Sequence, residues 1–254
     1  MHLDFTRPLI FVAHPDDETI ACAGLLQRVA ASLVVFATDG APPRYGFERK
    51  FGTLRNYSQL RFQEASRALS HVPNCSFRRL IRPGGIYFGD QHLFQYLPDA
   101  VRSLTEIARE FSPDALVSHT YEGGHIDHDA CGFISMHAST ALGVRRFEFP
   151  IYSMDDNGTL VYQQFRDVRP GTVDLRLTPA EIACKAKMAA EYQTQQGAFS
   201  VFDPGLERIR PAGGEGFTVP ACSNYSYEAR QLNAQRLLNK FTEFEALLRS
   251  DWRP

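Results

Sequence analysis

The first three-fifths of the chain alternates two hydrophobic rhythms. Apolar or β-branched runs of strand length stand at 8–13 (PLIFVA), 32–40 (SLVVFATDG), 75–81 (CSFRRLI), 114–120 (DALVSHT) and 146–153 (RFEFPIYS). Between them the apolar residues recur at helical spacing over 18–30, 54–70, 92–111 with a break near Pro98, and from His128 to about Leu142. Strand and helix in strict alternation read as βαβ units, which imply parallel strands joined by right-handed crossovers. The expected fold class is therefore α/β: a three-layer, Rossmann-like, mostly parallel sheet flanked by helices.

The rhythm changes after residue 153. Polar β-like segments over 155–176 surround Asp156-Asn157-Gly158, a hairpin turn signal. Thr178-Pro179-Ala180-Glu181 then combines a capping box with proline at the first helical position, so a helix should run from there to about Tyr192. Gly-rich and Pro-rich sequence over 197–223 reads as loop, and YEARQLNAQRLLNKFTEFEALLRS as a closing helix. With no internal repeat, the expectation is one domain over 1–254, comprising a Rossmann-like core at 1–153 and a C-terminal β-hairpin and helix elaboration at 154–254 packed on it.

Composition narrows the partners. The net charge is −2, with 27 basic and 29 acidic residues dispersed along the chain, which argues against a nucleic-acid backbone as partner. Before the first acidic cluster the apolar run is at most LIFVAH, too short for a secretory segment or an integral membrane segment, so the expected location is cytoplasmic. Five widely spaced cysteines without a C-x-x-C pair fit a reducing compartment and small buried apolar roles.

Two polar clusters interrupt this ordinary pattern. His14, Asp16, Asp17 and Glu18 follow the first strand directly, and three adjacent carboxylates repel unless solvent, a cation or a helix N-terminus offsets them. His125, Asp127, His128 and Asp129 form a second group between the strand at 114–120 and the next helix. In an open parallel sheet, ligands bind beyond the carboxyl ends of the strands, where both groups lie, together with Asp39 and Asp90. Imidazole and carboxylate from two strand ends suit Zn²⁺ with three protein ligands and an open position for water. Water bound there has its pKa lowered from about 15.7 to near 7, so a neighbouring carboxylate can take its proton.

The order A-H-P-D-D-E after a first strand, then H-x-D-H at the end of a later one, resembles the LmbE-like or PIG-L family of zinc-dependent N-deacetylases acting on N-acetylglucosamine-type sugars. Further likeness lies in Arg61-x-x-Glu64-Ala65, in the EFPIY strand, and in K-x-x-M-x-x-Y-x-x-Q from Lys185 to Gln195. The resemblance implies zinc ligation by His14, Asp17 and His128, and Asp16 as general base. It also implies His125 as oxyanion stabiliser or acid, and Asp127 as the carboxylate that orients a histidine. Arg61 and Asp90 correspond loosely to positions that hold sugar hydroxyls. The implied partner is a small acylated amino-sugar or glycoconjugate. TDGAPPRYGFERKFG replaces the family's acidic T-x-G-E loop and YEGG precedes H-x-D-H, so the aglycone is left open.

Plainer readings stand beside these. Asp16, Asp17 and Glu18 would also suit a helix N-terminus as cap and first turn. His125 and His128 would pass for surface residues of a Gly-rich loop, and Arg61 with Glu64 for a helix-surface pair. His71, His92, His119 and His137 read as structural or solvent-exposed. The alternatives to deacetylation are metal-dependent hydrolysis of another amide, an ester or a glycosidic bond, and a sugar-binding module. The last lacks G-x-G-x-x-G after the first strand. Fe²⁺ or another divalent ion would also accept these ligands.

Overall fold

The computed structural model of the chain describes residues 4–43, 46, 50–213, 216–227 and 234–250. Its strands are β1 (Pro8–Val12), β2 (Ser32–Phe36), β3 (Cys75–Arg79), β4 (Ile81–Arg82), β5 (Ile86–Tyr87), β6 (Ala115–His119), β7 (Arg145–Phe149), β8 (Tyr152–Met154), β9 (Leu160–Tyr162), β10 (Val173–Arg176) and β11 (Leu206–Pro211). Seven of them form one sheet in the order β3-β2-β1-β6-β7-β11-β10, while β4 with β5 and β8 with β9 make separate hairpins. From β3 to β7 every pairing is parallel; β11 runs antiparallel to β7, and β10 antiparallel to β11.

The helices are α1 (Asp17–Arg28), α2 (Leu54–Ser70), α3 (Leu97–Phe111), α4 (Ile126–Leu142), α5 (Pro179–Glu191), the short α6 (Gln196–Phe199) and α7 (Ala234–Arg249). They cover both faces of the sheet, which is why β1 and β2 are apolar at nearly every position rather than at alternate ones. Leu9, Phe11, Leu33 and Val35 point into a core shared with α3, α4 and α7. Ile10, Val12, Val34 and Phe36 point the other way, into a core shared with α1, α2 and α5. The mostly parallel three-layer α/β class read from the sequence is the class observed.

Local signals act as expected at several ends. Thr178 and Glu181 close a reciprocal capping box on α5, and Thr53 accepts the Asn56 N–H at 3.0 Å to start α2. Pro98 sits in the first turn of α3, just after a 3₁₀ turn at Leu93–Tyr96, so the expected break falls where proline lacks a donor. The run at 146–153 splits into β7 and β8 around Pro150. The stretch 197–223 is not all loop: it contains β11, whose residues pair with β7 and β10. The closing stretch forms α7 from Ala234; of the helix expected from Tyr227, residues 228–233 lie outside the described residues, as do 44–45 and 47–49 of the loop at 41–52. Among the described residues no helix is long and apolar enough to cross a membrane.

A buried ion pair ties the late elements to the first helix. Lys185 on α5, 4% exposed, donates to Glu207 Oε1 on β11 at 3.0 Å and to the Ile20 carbonyl at 2.7 Å. Glu207 in turn accepts the Gly24 and Leu25 amides of α1 at 2.8 and 3.1 Å. Removing one partner of such a pair leaves the other charge buried and uncompensated. Lys185→Met is therefore expected to lower unfolding free energy by about 3–5 kcal/mol in urea denaturation; a change below 1 kcal/mol, on the order of a surface pair, would contradict that role.

Candidate active site

β1 and β6 are adjacent and parallel, with Phe11 opposite Ser118, so the loops that leave them open side by side. The strand order reverses around this pair: β2 and β3 lie beyond β1, and β7 lies beyond β6. A crevice at such a reversal is where α/β sheets bind ligands. Here it holds a cavity of about 340 Å³ whose polar lining includes His14, Asp16, Asp17, Arg61, Asp90, His125 and His128. Of the residues to which the family resemblance gives a role, Asp127 alone is not in its lining; it stands just behind, against His14.

Asp17 is the hub. Its Oδ2 lies 3.5 Å from His14 Nδ1 and 3.4 Å from His119 Nε2, while its Oδ1 lies 3.5 Å from His128 Nε2. It also accepts the His14 N–H at 2.8 Å, which closes the turn after β1. Asp127 accepts the Gln91 and Leu93 amides at 2.6 and 3.3 Å and sits 3.3 Å from His14 Nε2. It thereby braces His14 and the loop carrying Asp90 together. Asp90 Oδ1, buried without a hydrogen-bond partner among the described residues, lies 3.6 Å from His14 Nε2.

Hydrogen bonds assign the imidazole lone pairs. His125 caps α4, its Nδ1 accepting the Asp127 N–H at 3.1 Å, so the neutral ring carries its proton on Nε2. His119 accepts the Ala13 N–H on Nε2 at 3.0 Å and lies nearly flat against His128, with centroids 4.1 Å apart. The backbone thus engages one nitrogen of each, whereas the nitrogens of His14 and His128 are left to side chains. Burial, reinforced by neighbouring histidines, pushes both His125 and His128 down to about 3, so both are neutral near pH 7. Burial would also lower His14, but Asp90, Asp127 and Asp17 together outweigh it and hold that ring well above its usual range.

The retained proton on His14 reflects a surplus of buried carboxylate. A divalent cation answers the same need, and the donors fit one. Imidazole nitrogens of His14, His125 and His128 lie within 4.8 Å of one another, as do donor atoms of Asp17, His119 and His128. Ligand atoms bound to a tetrahedral ion at about 2.0–2.2 Å are roughly 3.3–3.5 Å apart, close to the 3.5 Å separations of Asp17 from His14 and from His128.

Asp16 is held differently. Its side chain does not cap α1, contrary to the plainer reading, and its φ of 135° is a conformation that L-residues rarely adopt. Arg61 holds it in place, with Nη2 3.2 Å from Asp16 Oδ2 and further donations to the Pro15 and Gly40 carbonyls. Burial raises Asp16 to about 7, against the pull of Arg61 and with a push from Asp17. Arg61 and Glu64 are both buried and are no surface pair.

The PIG-L model, described as GlcNAc-PI de-N-acetylase, matches residues 9–139, from the first strand through most of α4. The chain belongs to this family. No curated protein matches it. Among solved structures it is similar to the deacetylase of teicoplanin biosynthesis, at TM-score 0.64 and 18% identity over 81% of this chain and 97% of that one. Another structure of teicoplanin deacetylase, described as its zinc-inhibited form, aligns at TM-score 0.60 and 17% identity over 83% and 100%. N,N'-diacetylchitobiose deacetylase from Pyrococcus horikoshii aligns at 0.52 and 16% over 82% and 85%. GalB, a 4-carboxy-2-hydroxymuconate hydratase from Pseudomonas putida, aligns at 0.51 and 14% over 83% and 99%. At these identities the shared feature is the fold, which carries more than one chemistry.

Spacing in the sequence does not mark every residue of this cluster. His119, a lone histidine by sequence spacing, is fully buried against Asp17 and His128; its place as the last residue of β6 is the signal the sequence offers. Asp39 and Asp129, which follow β2 and β6 in the chain, buttress loops instead. Asp39 accepts the Asp90 and Ala41 amides at 3.0 and 3.1 Å. Asp129, raised to about 7 by burial, accepts the Glu122 and Gly123 amides and the Tyr227 hydroxyl. Tyr57, Gln91, Tyr152, Gln195 and Phe202 complete the cavity wall from segments distant in sequence.

The YEGG loop presses on β8. Glu122 Oε1 accepts the Ile151 and Tyr152 amides at 3.0 and 3.2 Å, and a Cβ on Gly124 would run into the Tyr152 carbonyl oxygen. Gly124→Ala is expected to cost about 1–3 kcal/mol in urea denaturation; unaltered stability would show that the loop yields freely.

Proposed function

We propose that this protein is a metal-dependent hydrolase that removes the N-acetyl group from an N-acetylglucosamine-type sugar or glycoconjugate. The observation that carries this reading is the single carboxylate of Asp17 facing both His14 and His128, with Asp16 and His125 on the same cavity wall. Family membership supports the reaction class.

His14, Asp17 and His128 would hold the ion, zinc by family resemblance, with Fe²⁺ the other choice His/Asp donors accept. When bound, it supplies a Lewis acid that lowers the pKa of water and polarises the acyl oxygen. Asp16 takes the proton of the attacking water; a base that titrates near 7 matches that task. Arg61 keeps its carboxylate aimed into the cavity. His125 presents Nε2–H toward the cavity, a neutral donor for the oxyanion that forms as the amide carbonyl becomes tetrahedral. The proton then passes to the departing sugar nitrogen, which leaves as a free amine with acetate as co-product. Asp127 keeps His14 oriented, and Asp90, which lines the cavity beside His14, would accept from a sugar hydroxyl.

Amine release from N-acetylglucosamine derivatives, measured on metal-loaded and metal-stripped protein, tests the reading. The expected result is turnover only with the ion, one divalent ion per chain as the triad implies, and loss of that ion in His14→Ala and His128→Ala. Asp16→Asn should keep the ion yet lose roughly 10²–10⁴-fold in turnover. Undiminished turnover in Asp16→Asn would remove it as base. Hydrolysis of esters but no acylated amino-sugar would replace the proposed substrate.

A further inference from the structure

One cavity wall carries a fixed hydrogen-bond acceptor. Gln195 follows α5 and lines the cavity together with Tyr57 and Arg61. Its amide nitrogen donates to the Tyr57 hydroxyl at 2.7 Å, to the Thr194 carbonyl at 2.8 Å and to the Thr194 hydroxyl at 3.3 Å. A backbone carbonyl only accepts, so the nitrogen must face it and the amide cannot be flipped. Oε1 is consequently left on the other side, with no partner among the described residues.

The orientation is enforced from behind. Glu64, fully buried on α2, accepts the Thr194 N–H at 2.9 Å and the Thr194 hydroxyl at 2.6 Å. The Thr194 proton is committed to Glu64, so its oxygen is free to accept from Gln195. Tyr57 links the amide onward: the Arg61 guanidinium lies 6.0 Å from its ring centre, and Arg61 grips Asp16. Buried Glu64, through Thr194, and buried Tyr57 thus hold an uncommitted amide oxygen on the wall that carries Asp16.

Resting on the proposed function, we infer that Gln195 Oε1 accepts a hydrogen bond from a ring hydroxyl of the amino-sugar, and that Glu64 and Thr194 are positioning residues for it. A wall acceptor of this kind selects among sugars, because an analogue lacking the hydroxyl leaves it unpaired. The Arg61 and Glu64 of one helix then have separate duties, Arg61 toward the base and Glu64 toward substrate choice.

The test compares N-acetylglucosamine with its monodeoxy analogues as substrates, and glucosamine with the matching deoxy amines by calorimetry on the metal-loaded protein. Wild type should favour the full sugar over one particular deoxy analogue by about three- to tenfold in kcat/KM, the worth of one neutral hydrogen bond. In Gln195→Met that ratio should fall to near one, and in Gln195→Asn, which withdraws the amide by one methylene, it should fall likewise. A purely structural defect lowers both members of a pair together and leaves the ratio at its wild-type value, which would overturn the inference. Calorimetry separates the two readings: hydroxyl-dependent binding that Gln195→Met abolishes, without turnover of any acylated sugar, upholds the acceptor and rejects the deacetylase. Deacetylation with no single-hydroxyl preference in wild type does the reverse.

Discussion

Parallel pairing of β1 with β6 is the constraint on which the site depends. It places the turn after Val12 beside the loop after His119, so that two polar clusters more than a hundred residues apart share one crevice. Both strands are buried on both faces, and their apolar residues hold the register. A slip by one residue would exchange the two cores and carry His14 away from Asp127.

The crevice gathers Asp16, Asp17, Asp90 and Asp127, all of them buried. Desolvation opposes each charge, and the structure relieves this in distinct ways. Backbone amides hold Asp127, His14 and His128 flank Asp17, and Arg61 faces Asp16. Asp90, Asp127 and Asp17 press His14 to retain a proton, an electrostatic demand that a cation would also meet. Asp17 and Asp90 are thereby held below the usual carboxylate range, while Asp16 titrates near neutrality. Neighbouring residues in sequence acquire opposite properties because one turns toward histidines and the other, at positive φ, toward an arginine and two carboxylates.

Support for these groups comes from outside the motifs. Glu122 and Gly124 fix the second loop against β8, and Asp39 holds the loop of Asp90. α5 reaches back to α1 through Lys185 and Glu207, and its end brings Gln195 to the cavity. The last third of the chain thus forms a wall of the site as well as two further strands of the sheet.

Sequence alone determined the alternation that builds a parallel sheet, the capping box of α5, the break at Pro98 and the two ligand-rich loops. Each is a local property: apolar period, φ preference of proline, or side-chain donors at fixed spacing. Tertiary structure alone decided which nitrogen of each histidine is engaged, that His119 belongs at the centre, that Asp129 and Asp39 serve loops, and that Arg61 grips Asp16. It also placed β11 inside a stretch that reads as loop, since half of LERIRP is charged and it is a strand only once β7 and β10 pair with it. These outcomes depend on partners distant along the chain, and no local pattern encodes the direction in which a buried side chain finds its counter-charge.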